Sequence, residues 1–76
     1  MAYLSGRLEE AAGRYQQAAA LEETPEARLG GCLALLALGR CREAAPACDR
    51  CQALAPGWPG CRAGARAAAG CGGAAP

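Results

Sequence analysis

Pro25-Glu26-Ala27-Arg28-Leu29-Gly30-Gly31-Cys32-Leu33-Ala34-Leu35-Leu36-Ala37-Leu38-Gly39, followed by Arg40-Cys41-Arg42-Glu43-Ala44-Ala45-Pro46-Ala47-Cys48-Asp49-Arg50-Cys51-Gln52-Ala53-Leu54-Ala55-Pro56, is the stretch that decides the fold. Two helix-length segments meet at Gly39, and Pro56 closes the pair. Thr24 is placed to cap the first segment. Pro25 suits its first position, where a missing N–H costs nothing. Glu26 lies in the first turn, which favours negative charge. Gly39 tolerates the left-handed conformation that ends a helix. The spacing predicts one helix–turn–helix unit, with helices over 25–38 and 40–54. Two residues oppose it. Gly30-Gly31 weakens the first helix by about 2 kcal/mol relative to two alanines. Pro46 removes a backbone bond from the second, at about 3 kcal/mol, and predicts a kink or a frayed first turn.

Working outward, Ala2 to Leu21 forms another helical segment, with Leu4, Leu8, Ala11, Ala12, Tyr15, Ala18 and Ala19 recurring at three- and four-residue steps. Ser5 or Gly6 offers a start for it, with Glu9 and Glu10 in the turn that follows. On the other side, Pro56-Gly57-Trp58-Pro59-Gly60 is a turn cluster. Cys61 to Gly70 is a weaker helix candidate, and Cys71 to Pro76 reads as a disordered, low-complexity tail.

Composition sets the limits. The chain has 76 residues and carries no Phe, Ile, Val, His, Lys or Asn. Without β-branched aliphatic residues, helix is the default over strand. A core must be built from Leu, Ala, Cys and a few aromatics, and a domain this small is marginal without help. The net charge is +1, with eight Arg interspersed among seven acidic residues. No basic run calls for nucleic acid or an anionic membrane. Arg62 and Arg66 are expected to be solvated helix charges. Met1 to Glu10 has no secretory-signal pattern, and no segment approaches the ~18 apolar residues of a membrane span. These features predict a cytoplasmic chain whose thiols are reduced.

The flanks repeat the centre. Gly6-Arg7-Leu8-Glu9-Glu10-Ala11-Ala12 falls on Gly39-Arg40-Cys41-Arg42-Glu43-Ala44-Ala45 at an offset of 33 residues. Tyr15 then falls on Cys48, Ala18 on Cys51 and Leu21 on Leu54, while Pro25 meets Pro59 one residue further on. In this the chain resembles the tetratricopeptide repeat family, whose period is 34. The residues that carry the resemblance are Gly6 and Gly39 between helices, Ala11 and Ala44 early in the second helix, Tyr15, Ala18 and the closing Pro56. Leu29, Leu33, Leu35 and Leu38 fit the first helix of the unit. The sequence departs from the pattern at Arg28, Gly31, Cys48, Cys51 and Pro46. The resemblance implies an all-α fold of antiparallel helical hairpins. Residues 1–24 would be a partial unit, mainly its second helix, and 25–58 a complete unit. Residues 59–72 would begin a further unit, and 73–76 would be a disordered tail. Arrays of this kind need roughly three units to cover their faces. The expectation is therefore a fragment of a longer array, or a chain that self-associates through exposed ends.

Six cysteines invite a metal or redox assignment. Cys48-Asp49-Arg50-Cys51 is a C-x-x-C, and Cys61 and Cys71 follow at ten-residue steps. A structural zinc site would need four Cys here, yet the usual second short pair is missing. A thioredoxin-like pair needs a βαβ setting. Cys32, Cys41, Cys48 and Cys51 instead fall on packing positions, where cysteine acts as a small hydrophobe. Cys71 is expected to be exposed and the most reactive.

No catalytic constellation emerges, and no cofactor or metal is expected. Ser5 and Thr24 are the only aliphatic hydroxyls, and the carboxylates alternate with Arg as solvated ion pairs. The resemblance implies a non-catalytic module that binds a protein or peptide on a concave face lined by first helices. Here that face maps to Glu26, Leu29, Leu33, Leu36 and Ala37, mainly apolar and suited to a partner helix or extended segment. The competing assignment for these leucines is contact with a neighbouring unit. The Lys and Asn that clamp chaperone tails in part of the family are absent. Trp58 is expected to plug its turn rather than anchor a partner. The competing functions are a small cysteine-rich metal or redox protein, or a repeat fragment without a role of its own.

Overall fold

The computed structural model describes residues 2–73, with side-chain surroundings for 6–71. Four helices follow one another: α1 (Ala2–Leu21), α2 (Pro25–Ala37), α3 (Cys41–Leu54) and α4 (Pro59–Gly73). Adjacent helices pack antiparallel, so the fold is a small all-α domain. α2 is the centre, touching α1, α3 and α4, whereas α1 touches only α2. The Cα atoms fill a thin slab of 33 × 31 × 17 Å.

The local signals explain the helix ends. The Thr24 hydroxyl accepts a hydrogen bond from the Ala27 N–H at 3.2 Å, with Pro25 in the first turn. Gly39 takes φ +78°, where a side chain would be strained. The Gly39 N–H donates to the Leu36 carbonyl at 3.0 Å and that of Arg40 to Leu35 at 2.9 Å, closing α2. After α3 the Ala55 N–H returns to Cys51 at 2.9 Å, and Trp58 returns to Ala55 at 3.0 Å. These bonds turn the chain into α4, which leaves Trp58 37% exposed.

Four expectations change. Gly6 lies within α1 rather than between helices. A side chain there would meet nothing within 4 Å, so no packing demands a reversal. The first turn of α3 is formed rather than frayed, with the Ala44 N–H donating to the Arg40 carbonyl at 2.9 Å, and the helix continues past the exposed Pro46. α4 starts earlier than expected and extends through Cys71 to Gly73. Of the tail expected to be disordered, Gly73 ends α4 and residues 74–76 lie outside the described residues. The largest change concerns the cysteines, which are not reduced packing thiols. Cys32 pairs with Cys48, Cys51 with Cys61 and Cys41 with Cys71. Their Cα separations are 4.9, 5.3 and 6.2 Å, within the usual span of a disulfide.

The core explains why pairing matters. Its fully buried side chains are Leu35, Cys32, Cys48, Cys51 and Cys61, and the rest of the buried set is alanine. Alanine contributes about one methyl of burial each, so the hydrophobic gain is thin. Disulfides add stability by restricting the unfolded chain. Small residues also let backbones approach. The Tyr15 ring of α1 lies across Gly30 of α2, leaving no room for a side chain there. A Cβ on Gly64 of α4 would stand 2.5 Å from the Cys32 sulfur. Gly30 and Gly64, which weaken α2 and α4 as isolated helices, are thus contact points between helices.

Two substitutions in α4 should therefore act in opposite directions. Gly64→Ala should lower stability by about 1–3 kcal/mol, because the Cys32–Cys48 disulfide blocks the new methyl. Gly70→Ala, with nothing within 4 Å, should raise it by up to about 1 kcal/mol. Urea unfolding of the oxidised chain followed by circular dichroism measures both. Equal effects would mean that the close approach of α4 does not limit packing.

Candidate functional site

The five residues proposed as a partner-binding face all lie on α2. At 100° per residue they fall within about a 100° arc of the helix. Their environments divide them. Glu26 and Ala37 are exposed and Leu33 is 50% exposed. Leu29 is half-buried and leans on α4, its methyls within 3.4 Å of where a Gly60 side chain would begin. Leu36 is half-buried against the core cluster of Cys32, Leu35, Ala44 and Cys48. The structure thus brings Glu26, Leu33 and Ala37 to solvent, and gives Leu29 and Leu36 to packing. α1 meets α2 at Gly30 and Gly31, and α4 meets it at Leu29 and Cys32. The solvent-facing strip is therefore flanked by a helix on each side. No cavity forms along it among the described residues.

The buried faces need no such accommodation. Ala27, Gly31, Cys32, Ala34 and Leu35 of α2 are buried, as are Ala44, Ala47, Cys48 and Cys51 of α3. Among the described residues no polar side chain is buried and no buried side-chain nitrogen or oxygen lacks a partner. No cluster of three or more metal-ligating side chains occurs among them either.

Four carboxylates, Glu9, Glu10, Glu23 and Glu43, make ion pairs with arginine, and some of these pairs join separate elements. Glu9 of α1 accepts from Arg40 at 2.7 Å, and Arg40 also stands 3.8 Å from Glu43. Glu10 and Arg14 pair at 3.2 Å along α1. Glu23, in the connector between α1 and α2, is the hub. It accepts from Arg28 Nε at 2.8 Å and Arg50 Nε at 3.0 Å, with Arg50 Nη2 on its second oxygen. This gives Arg28, one of the departures from the repeat pattern, a role: its head reaches back to Glu23 across the start of α2. The Arg50 hydrogen bonds, supported by those of Arg28 and opposed by partial desolvation, lower the Glu23 pKa from 4.5 to about 2.

Sequence reasoning missed the disulfide pairing. Six cysteines allow fifteen connectivities, and sequence alone does not select one. One signal was present, however. Cys41 and Cys51 are ten residues apart on α3, as are Cys61 and Cys71 on α4. On antiparallel helices, equal spacing brings 51 to 61 and 41 to 71. The C-x-x-C does not close on itself. Cys48 reaches α2 and Cys51 reaches α4, one turn apart on one face of α3.

The sign of the Glu23 effect is fixed by its lowered folded pKa. The stabilisation is complete above pH 4.5 and is lost as pH falls from 4.5 toward 2. Melting temperatures across that window should fall less for Glu23→Gln than for the parent chain. Parallel curves for the two proteins would show that the Arg28–Glu23–Arg50 link contributes nothing measurable.

Compared with protein-family models, curated proteins and solved structures, the chain matches none.

Proposed function

We propose that the chain is a non-catalytic interaction module of tetratricopeptide type that presents the solvent-facing strip of α2 to a protein or peptide. The observation that carries this is Leu33, half exposed in the middle of the central helix while the leucines around it are packed. The run of antiparallel helices and the contact of α2 with α4 across α3 are what stacked helical hairpins would give. On this reading α1 is the second helix of one unit, α2 and α3 make a whole unit, and α4 opens the next. The strip is shallow and apolar with Glu26 at one end. It suits a partner helix that lays one apolar ridge between α1 and α4 with a basic residue near Glu26.

The disulfides bear on the competing cysteine-rich reading, against its metal form. All six cysteines are in disulfides, so in this oxidation state no thiolate is left to bind zinc. What the pairing favours is an oxidising compartment, where disulfides persist. The cytoplasmic location expected from the sequence presumed reduced thiols. No helix among the described residues is long and apolar enough to cross a membrane.

The test is selection from a helical peptide library against the oxidised chain, with binding mapped by amide chemical shifts. Bound peptides should shift residues 26–37, and Leu33→Arg should abolish binding while leaving the circular dichroism spectrum unchanged. Undiminished binding by the variant, or shifts confined to another surface, would remove the assignment.

A further inference from the structure

The three disulfides are not equivalent, and we infer that Cys41–Cys71 is a thiol–disulfide exchange site through which a dithiol reductant releases the C-terminal half of α4. This is independent of what the α2 strip binds. The sulfurs of Cys32, Cys48, Cys51 and Cys61 belong to residues with 0% exposure. Cys71 is exposed and Cys41 is half-buried. A thiolate must reach one sulfur of a disulfide from outside to displace the other. Exposed Cys71 offers that approach in the folded state; the other two pairs become accessible only after the core opens.

The chemistry balances with the reductant as electron donor. A thiolate of the dithiol attacks Cys71 Sγ, forming a mixed disulfide and expelling the Cys41 thiolate. Cys41 is the first residue of α3, where the positive end of the helix dipole stabilises that leaving group. The second thiol of the reductant then displaces Cys71 and closes the reductant's own disulfide. Two electrons have passed to the cysteine pair, and two protons, from the reductant's thiols, end on the two cysteines.

The consequence follows from how α4 is held. Five of its fifteen residues are glycine: Gly60, Gly64, Gly70, Gly72 and Gly73. Each costs about 1 kcal/mol of helix propensity against alanine. Its contacts with the core past Gly64 are two small side chains, half-buried Ala65 and buried Ala68. Near its start it is tied by Cys51–Cys61, and near its end by Cys41–Cys71. Opening the outer tie leaves residues 59–64 anchored and lets 65–73 fray, which uncovers the side of the core cluster that Ala68 closes.

Native-state titration of the oxidised chain with dithiothreitol, quenched with an alkylating reagent and read by peptide mass spectrometry, tests this. Cys41 and Cys71 should be alkylated at least about tenfold faster than the other four. Amide hydrogen exchange in that species should accelerate in 65–73 and stay unchanged in 25–37. The double variant Cys41→Ser with Cys71→Ser should show the same exchange pattern without reductant and retain two disulfides. Equal rates for all three pairs, earlier opening of a buried pair, or an undisturbed α4 end once Cys41–Cys71 is open would each overturn the inference.

Discussion

The Cys32–Cys48 disulfide, pressed against the backbone of Gly64, is the contact on which the rest of the fold depends. It joins the central helix to α3 and sets the distance at which α4 crosses both. With Leu35, among the described residues, as the one large aliphatic side chain fully buried, the interior has few atoms with which to define a spacing. Alanine cores permit close approach but do not enforce a register, because their contacts are similar at many relative positions. Two sulfurs in a covalent pair define one register. The remaining contacts, Ala44, Ala47 and Ala68 among them, then pack around a fixed point.

α1 obeys different physics. No cysteine lies in it, and it is held by Ala12 and Ala19 in the interface, by the Tyr15 ring over Gly30, and by the Glu9–Arg40 pair. Tyr15 remains 41% exposed and Leu21 89% exposed, so this interface buries little of its apolar surface. Exposed ion pairs add at most about 1 kcal/mol each. The domain therefore divides into a cross-linked part, α2 to α4, and a helix that leans on it.

Much of this architecture was legible in the residues. Thr24-Pro25-Glu26 and Gly39 placed α2, because caps and a left-handed turn are local physics that a sequence states directly. The second helix of the unit, read over 40–54 from its place between Gly39 and Pro56, is α3 at Cys41–Leu54. Gly6 misled, because a glycine permits a turn without requiring one, and only tertiary contact decides. α4 was read as too short, because glycine propensity describes an isolated helix and not one tied near both ends. The role of Gly30 was invisible until the Tyr15 ring was seen across it. For the candidate face, periodicity put five residues in one arc. It could not tell that Leu29 and Leu36 turn inward while Leu33 does not, since that depends on where α4 lies. Pairing of the cysteines was hidden for the same reason: matching ten-residue spacings have meaning only once two helices are known to be antiparallel neighbours.

The order of the cross-links also makes the chain almost inextensible over its larger part. Pulled apart, Cys32 and Cys71 could separate along the bare backbone by roughly 130 Å. With Cys41 bonded to Cys71, the taut path runs from Cys32 to Cys41, either directly or through Cys48, at roughly 30 Å, plus one disulfide. The contour from Asp49 to Gly70 lies off the load path, so the second half of α3 and nearly all of α4 are mechanically shielded by the bridges. Tension would instead peel α1, the element with no covalent stake in the network, and a pull on this domain would read out as the loss of a single helix.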